Sequence, residues 1–553
     1  MYFFFLKFPK LMKLGATLAL LVMLTSFLEG KTPDEMALGQ WRIGKIILNR
    51  HDVFDTGSPL DRVFPYTLAN KLHVVTKEYY IRSELLFREG DPYDLFCIQE
   101  SERILRGSRF FRYVTITPQE PLNGIVDVHI ETHDVWTLGI LLRYERVGGK
   151  NLYGLGILER NLLGTGIQLG GFVRKDIDRT KRGMTFKHRR FLGSPVKIFG
   201  GYGKDEKGRE IDIRLEKPFW SVQDWHQEGT SVFASDDEGR LFEGGEEVAT
   251  FQEEHLVVRT EVWFNFHPHE RKVRRWGLVH HYDKNEYDNF QSELPLLPPL
   301  DHTESVVALG YQFRNDRFIK ERGVITFDRD EDFNLGWDWT LEFGPSLEAF
   351  GATTDGLYTR GVLRKTWVSK DIAFVMLQME MRSRYQNDHV EDGIFKVVQH
   401  NVLPNWWLGQ TFTATLNYKT SRNLDPSKQF LLGGETGLRG YSVRQFSGSK
   451  SLLMTLENRK AVLYDWLQMV TVGWGVFFDT GATWKEHQEP SFDEFRSDVG
   501  FGIRFAPTRS VRANIIRADL AYALNENERD SRWVFNLTGE FVFGGRSERK
   551  FDL

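Results

Sequence analysis

The chain has 553 residues, 72 basic against 76 acidic side chains for a net charge of −4, and one cysteine. A near-balanced charge with basic residues scattered along the chain gives no footprint for nucleic acid, and a lone cysteine excludes an internal disulfide and cysteine-paired zinc sites. The length exceeds an ordinary compact domain but suits a large β-barrel accompanied by a small unit.

At the N-terminus Lys7, Lys10 and Lys13 precede an apolar run at 14–28. This is the layout of a secretory signal, assigned here to residues 1–30 with cleavage near Gly30. An uncleaved anchor is the alternative, although the run is short for a full span. No later segment carries about 18 consecutive apolar residues. Insertion in a membrane would therefore require a barrel.

Residues 31–135 predict a compact α+β unit. Ile43-Gly44-Lys45-Ile46-Ile47-Leu48 reads as a strand. A helix at 79–87 places Ile81 and Leu85 four apart and stops at Gly90-Asp91-Pro92. A second helix at 94–107 aligns Leu95, Ile98, Ser101 and Leu105 on one face and leaves Glu100, Glu102 and Arg103 to water. Strands at 113–117 and 125–131 complete it. Cys97 is expected to pack there as a small apolar residue.

Beyond residue 136 the pattern is alternation over segments of about ten residues separated by polar or glycine-containing turns, the signature of a membrane barrel. Val470, Val472, Trp474, Val476 and Phe478 form one apolar face, with Thr471, Gly473, Gly475, Phe477 and Asp479 opposite. Trp533, Phe535, Leu537, Phe541 and Phe543 share a parity broken by Gly539, with Asn536, Thr538 and Glu540 on the other side. Lysine or arginine on the lipid face near the midplane costs about 2–4 kcal/mol, which enforces the parity. A soluble β-sandwich or periplasmic barrel also alternates, but the signal-like start and aromatic strands favour the membrane. At roughly 25 residues per strand and connection, 136–543 accommodates about 16 antiparallel strands.

Within that span, Phe430-Leu431-Leu432-Gly433-Gly434-Glu435-Thr436-Gly437-Leu438-Arg439-Gly440-Tyr441 sets an arginine among glycines in a polar loop. Parity supplies its partners. If Leu452, Met454 and Leu456 meet lipid, Glu457 points inward, and Asp479 is inward by the alternation above. An inward-folded loop would seat Arg439 against both carboxylates, for which a planar guanidinium is better shaped than an ammonium.

Leu438-Arg439-Gly440-Tyr441 resembles the arginine-glycine motif of the inward sixth extracellular loop in the BamA/TamA superfamily of outer-membrane assembly and translocation proteins. Phe477-Phe478-Asp479-Thr480-Gly481 is similar to its F-x-D strand motif, and Thr455-Leu456-Glu457 to a G-x-E motif whose glycine is Thr455 here. Asn161-Leu162-Leu163-Gly164-Thr165-Gly166 is similar to the turn joining the first barrel strands, with Asn161, Gly164 and Gly166 its marked positions. Arg88-Glu89-Gly90-Asp91-Pro92-Tyr93 and the stretch Ile104 to Val114, with Phe111 before a strand, resemble one POTRA domain, from which 55–73 departs as an insertion. The polar tail 544–553 is a further departure, since barrels of this kind commonly end on an aromatic residue.

The resemblance implies an all-β transmembrane barrel preceded by one POTRA-like unit in the periplasm, and insertion or translocation of polypeptide at a bacterial outer membrane. Implied partners are unfolded outer-membrane or secreted polypeptide clients, outer-membrane lipid, and periplasmic chaperones or accessory proteins. A two-partner-type secretion pore is the alternative. No enzymatic activity, cofactor or metal is expected: G-x-S-x-G and H-E-x-x-H spacings do not occur. His267-Pro268-His269-Glu270 and His280-His281 are read as turn or interfacial residues, and the acidic run 243–247 as a solvated turn.

Overall fold

The computed structural model describes residues 41–53, 71 and 73–543, apart from 109, 136, 178, 222–223, 267–271, 316, 328–329, 370–372, 467–469, 490, 508–514, 526–530 and 539. The signal-like segment 1–30, most of the 55–73 insertion, the histidines at 267–270 and the tail 544–553 lie outside the described residues.

The N-terminal unit runs β1 (Arg42–His51), α1 (Glu78–Ser83), α2 (Leu95–Gly107), β2 (Phe111–Pro118) and β3 (Ile125–Asp134). Its sheet has the order β1-β3-β2, with β3 parallel to β1 and antiparallel to β2. Alternation in β3 buries Val126, Val128 and Ile130 on one face, where the helices supply Ile81, Ile98 and Leu105. α1 is shorter than the spacing predicts. The chain leaves it after Glu84, and the Leu86 N–H donates to the Ser101 hydroxyl (2.9 Å) instead of continuing the helical ladder. The Asp94 carboxylate caps α2 by accepting from the Phe96 N–H (2.8 Å). Leu95, expected on the buried stripe, is exposed, and Ile104 joins the core instead. Cys97 packs half-buried against that core.

The rest of the described chain is a closed antiparallel barrel. It has 20 strands among the described residues, counting Trp533–Thr538 and Glu540–Phe543, which follow one another and both pair with the first strand, as one. The expected number, about 16, is therefore too low. The average repeat is shorter than the estimate assumed: six strands fit between Leu138 and Lys217, starting with β4 (Leu138–Val147) and β5 (Lys150–Leu162), which are joined by Gly148 and Gly149 alone.

The wall is uneven in height. Strands next to the closure have 8 to 13 residues, as in Lys197–Lys204 and β5, and the shortest fall below the roughly 9–11 that cross the apolar layer at a tilt. On another part of the wall His226–Glu243, Glu246–Asn265 and Lys272–Ser292 have 18, 20 and 21 residues and extend past it. The run 243–247 is the turn between the first two of these, as expected. His280 and His281 lie within the third, not in a turn, and His281 faces Asp283.

Parity is as read from the sequence. In Val470–Trp484 the residues Thr471, Gly473, Phe477 and Asp479 are inside while Val476 faces out, 46% exposed. Trp533 and Phe535 are exposed and Asn536 is buried. Among the described residues no helix is long and apolar enough to cross a membrane.

The N-terminal unit is fastened to turns at one end of the barrel. Asn161, at the end of β5, and Gly164 and Gly166, in the turn to the third barrel strand (Ile167–Lys175), mark the joint of the second and third strands and not of the first two. Asn161 accepts from the Gly166 N–H (2.7 Å) and donates to the Thr76 hydroxyl (2.7 Å), and the Lys77 N–H donates to the Gly164 carbonyl (2.8 Å). A Cβ on Gly164 would lie 2.5 Å from the Val75 carbonyl oxygen, and one on Gly166 would enter the Tyr80 ring. Both glycines also have positive φ, +72° and +77°. Close approach of the two units therefore requires them. Nearby, fully buried Glu84 pairs with Arg189 (3.3 Å) and Arg190 (3.0 Å) of a barrel turn, and Arg190 stacks over Trp220 at 4.1 Å.

Thr76 donates from its N–H (2.7 Å) and its hydroxyl (2.8 Å) to Asp134 at the end of β3. Burial pushes the Asp134 carboxyl up to about 6, against the pull of those two bonds. A carboxyl raised in the folded state stabilises that state most below the ordinary carboxylate range of about 4. The contribution is lost as pH rises through about 6. Amide exchange of Lys77, corrected for intrinsic rates, should therefore be slower at pH 5 than at pH 7.5. Asp134→Asn should flatten that difference; an unchanged pH profile in the variant would disconnect Asp134 from the junction.

Candidate functional site

The loop between Gln410–Arg422 and Lys450–Trp466 does not extend away from the barrel. It makes its own short ladder, Phe430–Leu432 with Phe446–Gly448, and a 3₁₀ turn at Gly434–Thr436. Leu438 takes φ +58°, and the Tyr441 N–H closes onto its carbonyl (3.0 Å). Leu438 and Tyr441 are fully buried with Leu432 and Ala523, and the Tyr441 hydroxyl donates to the Ser497 carbonyl (3.0 Å). At Gly440 a Cβ would meet the Asp498 Cβ at 2.8 Å and the Ala523 nitrogen at 3.1 Å, so only glycine fits against the wall. The motif is thus folded onto the inner surface.

That fold aims Arg439. Its Nε and Nη2 donate to the two oxygens of Asp479 (2.7 and 3.1 Å), a two-pronged pairing. Nη1 donates to Asp519 (2.9 Å) and lies 3.6 Å from Glu457. The Phe477 ring sits under the guanidinium at 3.3 Å from its centroid. Sequence parity placed Glu457, Phe477 and Asp479 inside, and the structure brings all three to Arg439.

Parity reasoning overlooked the other half of the cluster. Arg504, fully buried, donates to Glu457 (3.2 Å) and hydrogen-bonds Asp519, so each of those carboxylates is shared by two guanidiniums. The signal was available. Phe501, Ile503 and Phe505 alternate with Gly500, Gly502 and Arg504, and Leu520 and Tyr522 with Asp519 and Ala521. The four strands from Lys450–Trp466 to Ile516–Ala523 thereby contribute one ionic network.

The loop also reaches the closure of the barrel. Buried Asn536 in the last strand donates to the Arg439 carbonyl (2.8 Å) and accepts from the Gly148 N–H (3.0 Å) of the β4–β5 turn. One amide thus ties the arginine loop, the last strand and the first hairpin. Among the described residues, pairing across that closure runs from Glu540↔Arg143 to Phe543↔Ile140, with Leu537↔Arg146. Ladders on the tall wall are far longer, as where His226–Glu243 pairs with its neighbour along its whole length. The seam thus lies in the low part of the wall, where the neighbouring joint of Ile516–Ala523 with Trp533–Thr538 is also short.

A second inward element comes from the end of the barrel that holds the N-terminal unit. The hairpin Phe318–Arg322 with Asp330–Asn334 lies between barrel strands His302–Asn315 and Trp337–Ser346. Its Val324 and Phe333 pack with Phe374 and Val402 in an apolar patch on the inner wall. The tip reaches inward-facing Arg459, which donates to the Val324 carbonyl (3.1 Å) and faces the Phe327 ring (5.6 Å). Glu331 stiffens the tip by accepting from three successive N–H groups, Val324 (2.9 Å), Ile325 (2.8 Å) and Thr326 (3.0 Å). The hairpin therefore crosses part of that mouth.

Fold and site together define a closed β-barrel whose inward loop is pinned by a buried arginine and tied to the seam. No protein-family model matches the chain, and no curated protein matches it. Among solved structures it is similar to BamA from Haemophilus ducreyi lacking POTRA domains 1-3, at 13% identity over 91% of this chain and 85% of that one, TM-score 0.43. It is similar also to CdiB from Acinetobacter baumannii (12%, 91% and 74%, TM-score 0.44) and CdiB from Escherichia coli (12%, 91% and 77%, TM-score 0.45). The first bears the name of the superfamily that the loop and strand motifs resemble.

Removing Arg439 leaves three carboxylates under-compensated, and breaking a buried pair costs about 3–5 kcal/mol. Arg439→Ala should lower barrel stability in urea by that order, and Arg439→Lys should recover only part, since one ammonium cannot reproduce the fork. Cycles of Arg439→Ala with Asp479→Ala and Asp519→Ala should be non-additive by about 0.5–3 kcal/mol; additive effects would dissolve the cluster. Separately, replacing residues 318–334 with a short Gly-Ser link should raise single-channel conductance in planar bilayers. Unchanged conductance would show that the hairpin does not restrict the lumen.

Proposed function

We propose that the protein inserts or translocates unfolded polypeptide at a bacterial outer membrane, with the seam between β4 and the last strand receiving client β-strands. The carrying observation is the tie at the closing ladder, which lies in the low part of the wall and is held by Asn536 to a loop that Arg439 anchors elsewhere in the wall. Parting the two strands exposes two unpaired edges, and an unpaired edge templates another strand. The low wall beside the seam would also thin the bilayer locally, easing entry of a client.

On this reading the N-terminal α+β unit is a POTRA domain in the periplasm. It sits under the turns at Asn161–Gly166 and Arg189–Arg190, close to the first barrel strands, where it can hand over an extended client by edge pairing. Periplasmic chaperones or accessory proteins would deliver the client. The roles of Arg439, Glu457, Asp479 and Asp519 are electrostatic and mechanical, with no covalent step. The hairpin across the mouth next to the POTRA-like unit favours a route along the seam over one through the lumen, the route a two-partner-type pore would use.

Leu141 and Val542 are partners in the closing ladder. Antiparallel partners have Cα atoms about 4.5–5.5 Å apart, within the range a disulfide accepts. In a Cys97→Ser background, Leu141→Cys with Val542→Cys should lock the seam under oxidation, lower the outer-membrane level of client barrel proteins, and recover with reductant. A locked protein that sustains the wild-type outer-membrane proteome would refute seam opening. Loss of one secreted polypeptide with barrel proteins unchanged would favour the pore.

A further inference from the structure

β1 and β3 are parallel neighbours, and His51, the last residue of β1, is the direct partner of His133. Glu131 stands two residues before His133 and so shares its face of the sheet. The two imidazoles stack, with centroids 4.3 Å apart and planes 12° apart. Both turn Nε2 toward one oxygen of Glu131, at 3.4 Å from His51 and 3.0 Å from His133. The three donor atoms lie within 4.8 Å of one another, on a solvent-facing surface of the N-terminal unit.

We propose that His51, Glu131 and His133 bind a divalent late-transition cation, Zn²⁺ being the reference ion. Bonds of about 2.0–2.2 Å to a tetrahedral zinc put neighbouring ligand atoms roughly 3.3–3.6 Å apart. The two nitrogen–oxygen separations are close to that range, and the stacked rings would unstack by side-chain rotation so that both Nε2 lone pairs meet one ion. Two imidazoles and one carboxylate suit Zn²⁺, Cu²⁺ or Ni²⁺ and do not suit Mg²⁺ or Ca²⁺, which take all-oxygen shells. Water would complete the coordination on the open side. The backbone register keeps both imidazoles within reach of one another on one face, because neighbouring strands stand about 4.8 Å apart.

The consequence is local. β1 is an edge of the sheet and β3 its centre, so the ion would tie the end of the edge strand to the central one. That edge is one of the two that the polypeptide-handling reading makes available to clients, although the metal site does not depend on that reading. The competing account is that Glu131 merely accepts hydrogen bonds from two histidine rings, and it predicts no ion.

The test uses full-length, tag-free protein refolded in detergent and stripped with EDTA. Zn²⁺ titrated by calorimetry should show a site that His51→Ala and His133→Ala each weaken at least tenfold, with Glu131→Gln weakening it also, while the heat-modifiable mobility of the folded barrel stays unchanged. Mg²⁺ should not compete. Independently of any variant, Cu²⁺ bound to the wild type should show electron-paramagnetic coupling to two nitrogens. Zn²⁺ affinity and stoichiometry unchanged in the double variant, no Zn²⁺ binding by the wild type, or an all-oxygen Cu²⁺ spectrum would each overturn the site. Loss of client handling with intact Zn²⁺ binding would count against the proposed function alone.

Discussion

A guanidinium taken out of bulk water has to find its charge and hydrogen bonds inside the protein, and the arrangement around Arg439 follows from that requirement. Asp479 meets its fork, Asp519 takes the remaining edge and Phe477 supplies a π-face beneath it. Arg504 in turn holds Asp519 and Glu457, which links the two guanidiniums through shared carboxylates. Such a network stays in place because losing any partner strands the others in a low-dielectric setting. The loop must therefore fold inward, and with it come the Leu438 and Tyr441 side chains that bury against the wall.

Fixing the loop has an effect at a distance. The Arg439 carbonyl is the acceptor for Asn536, and Asn536 also receives the Gly148 N–H. The joint that closes the barrel is thus braced by a loop whose own anchor lies on neighbouring strands. Opening the joint would either break one amide's bonds or carry the loop with it.

The two ends of the barrel are treated differently. One mouth is crowded by the docked α+β unit and by a hairpin stiffened through Glu331. Toward the other end the wall is tall on one side and low near the seam. A polypeptide following the least obstructed path would meet the seam before it met an open lumen.

Alternation made the barrel and half of its site legible without coordinates. It is a local property, set by the period of two and by the cost of a charge in lipid, so Glu457, Phe477 and Asp479 were placed inside from their own segments. Local glycine and turn chemistry likewise announced the inward loop and the strand–helix–helix–strand–strand order of the first unit. Strand number was misjudged because it depends on mean repeat length, and the tight turns near the closure pack strands more densely than a typical barrel does. What only the tertiary structure decided are the meetings between distant segments: Asn536 with Arg439 and Gly148, Arg504 shared between two carboxylates, the hairpin on Arg459, and His51 beside His133. Each depends on register and closure across many residues, and no period within a single segment encodes which strands become neighbours.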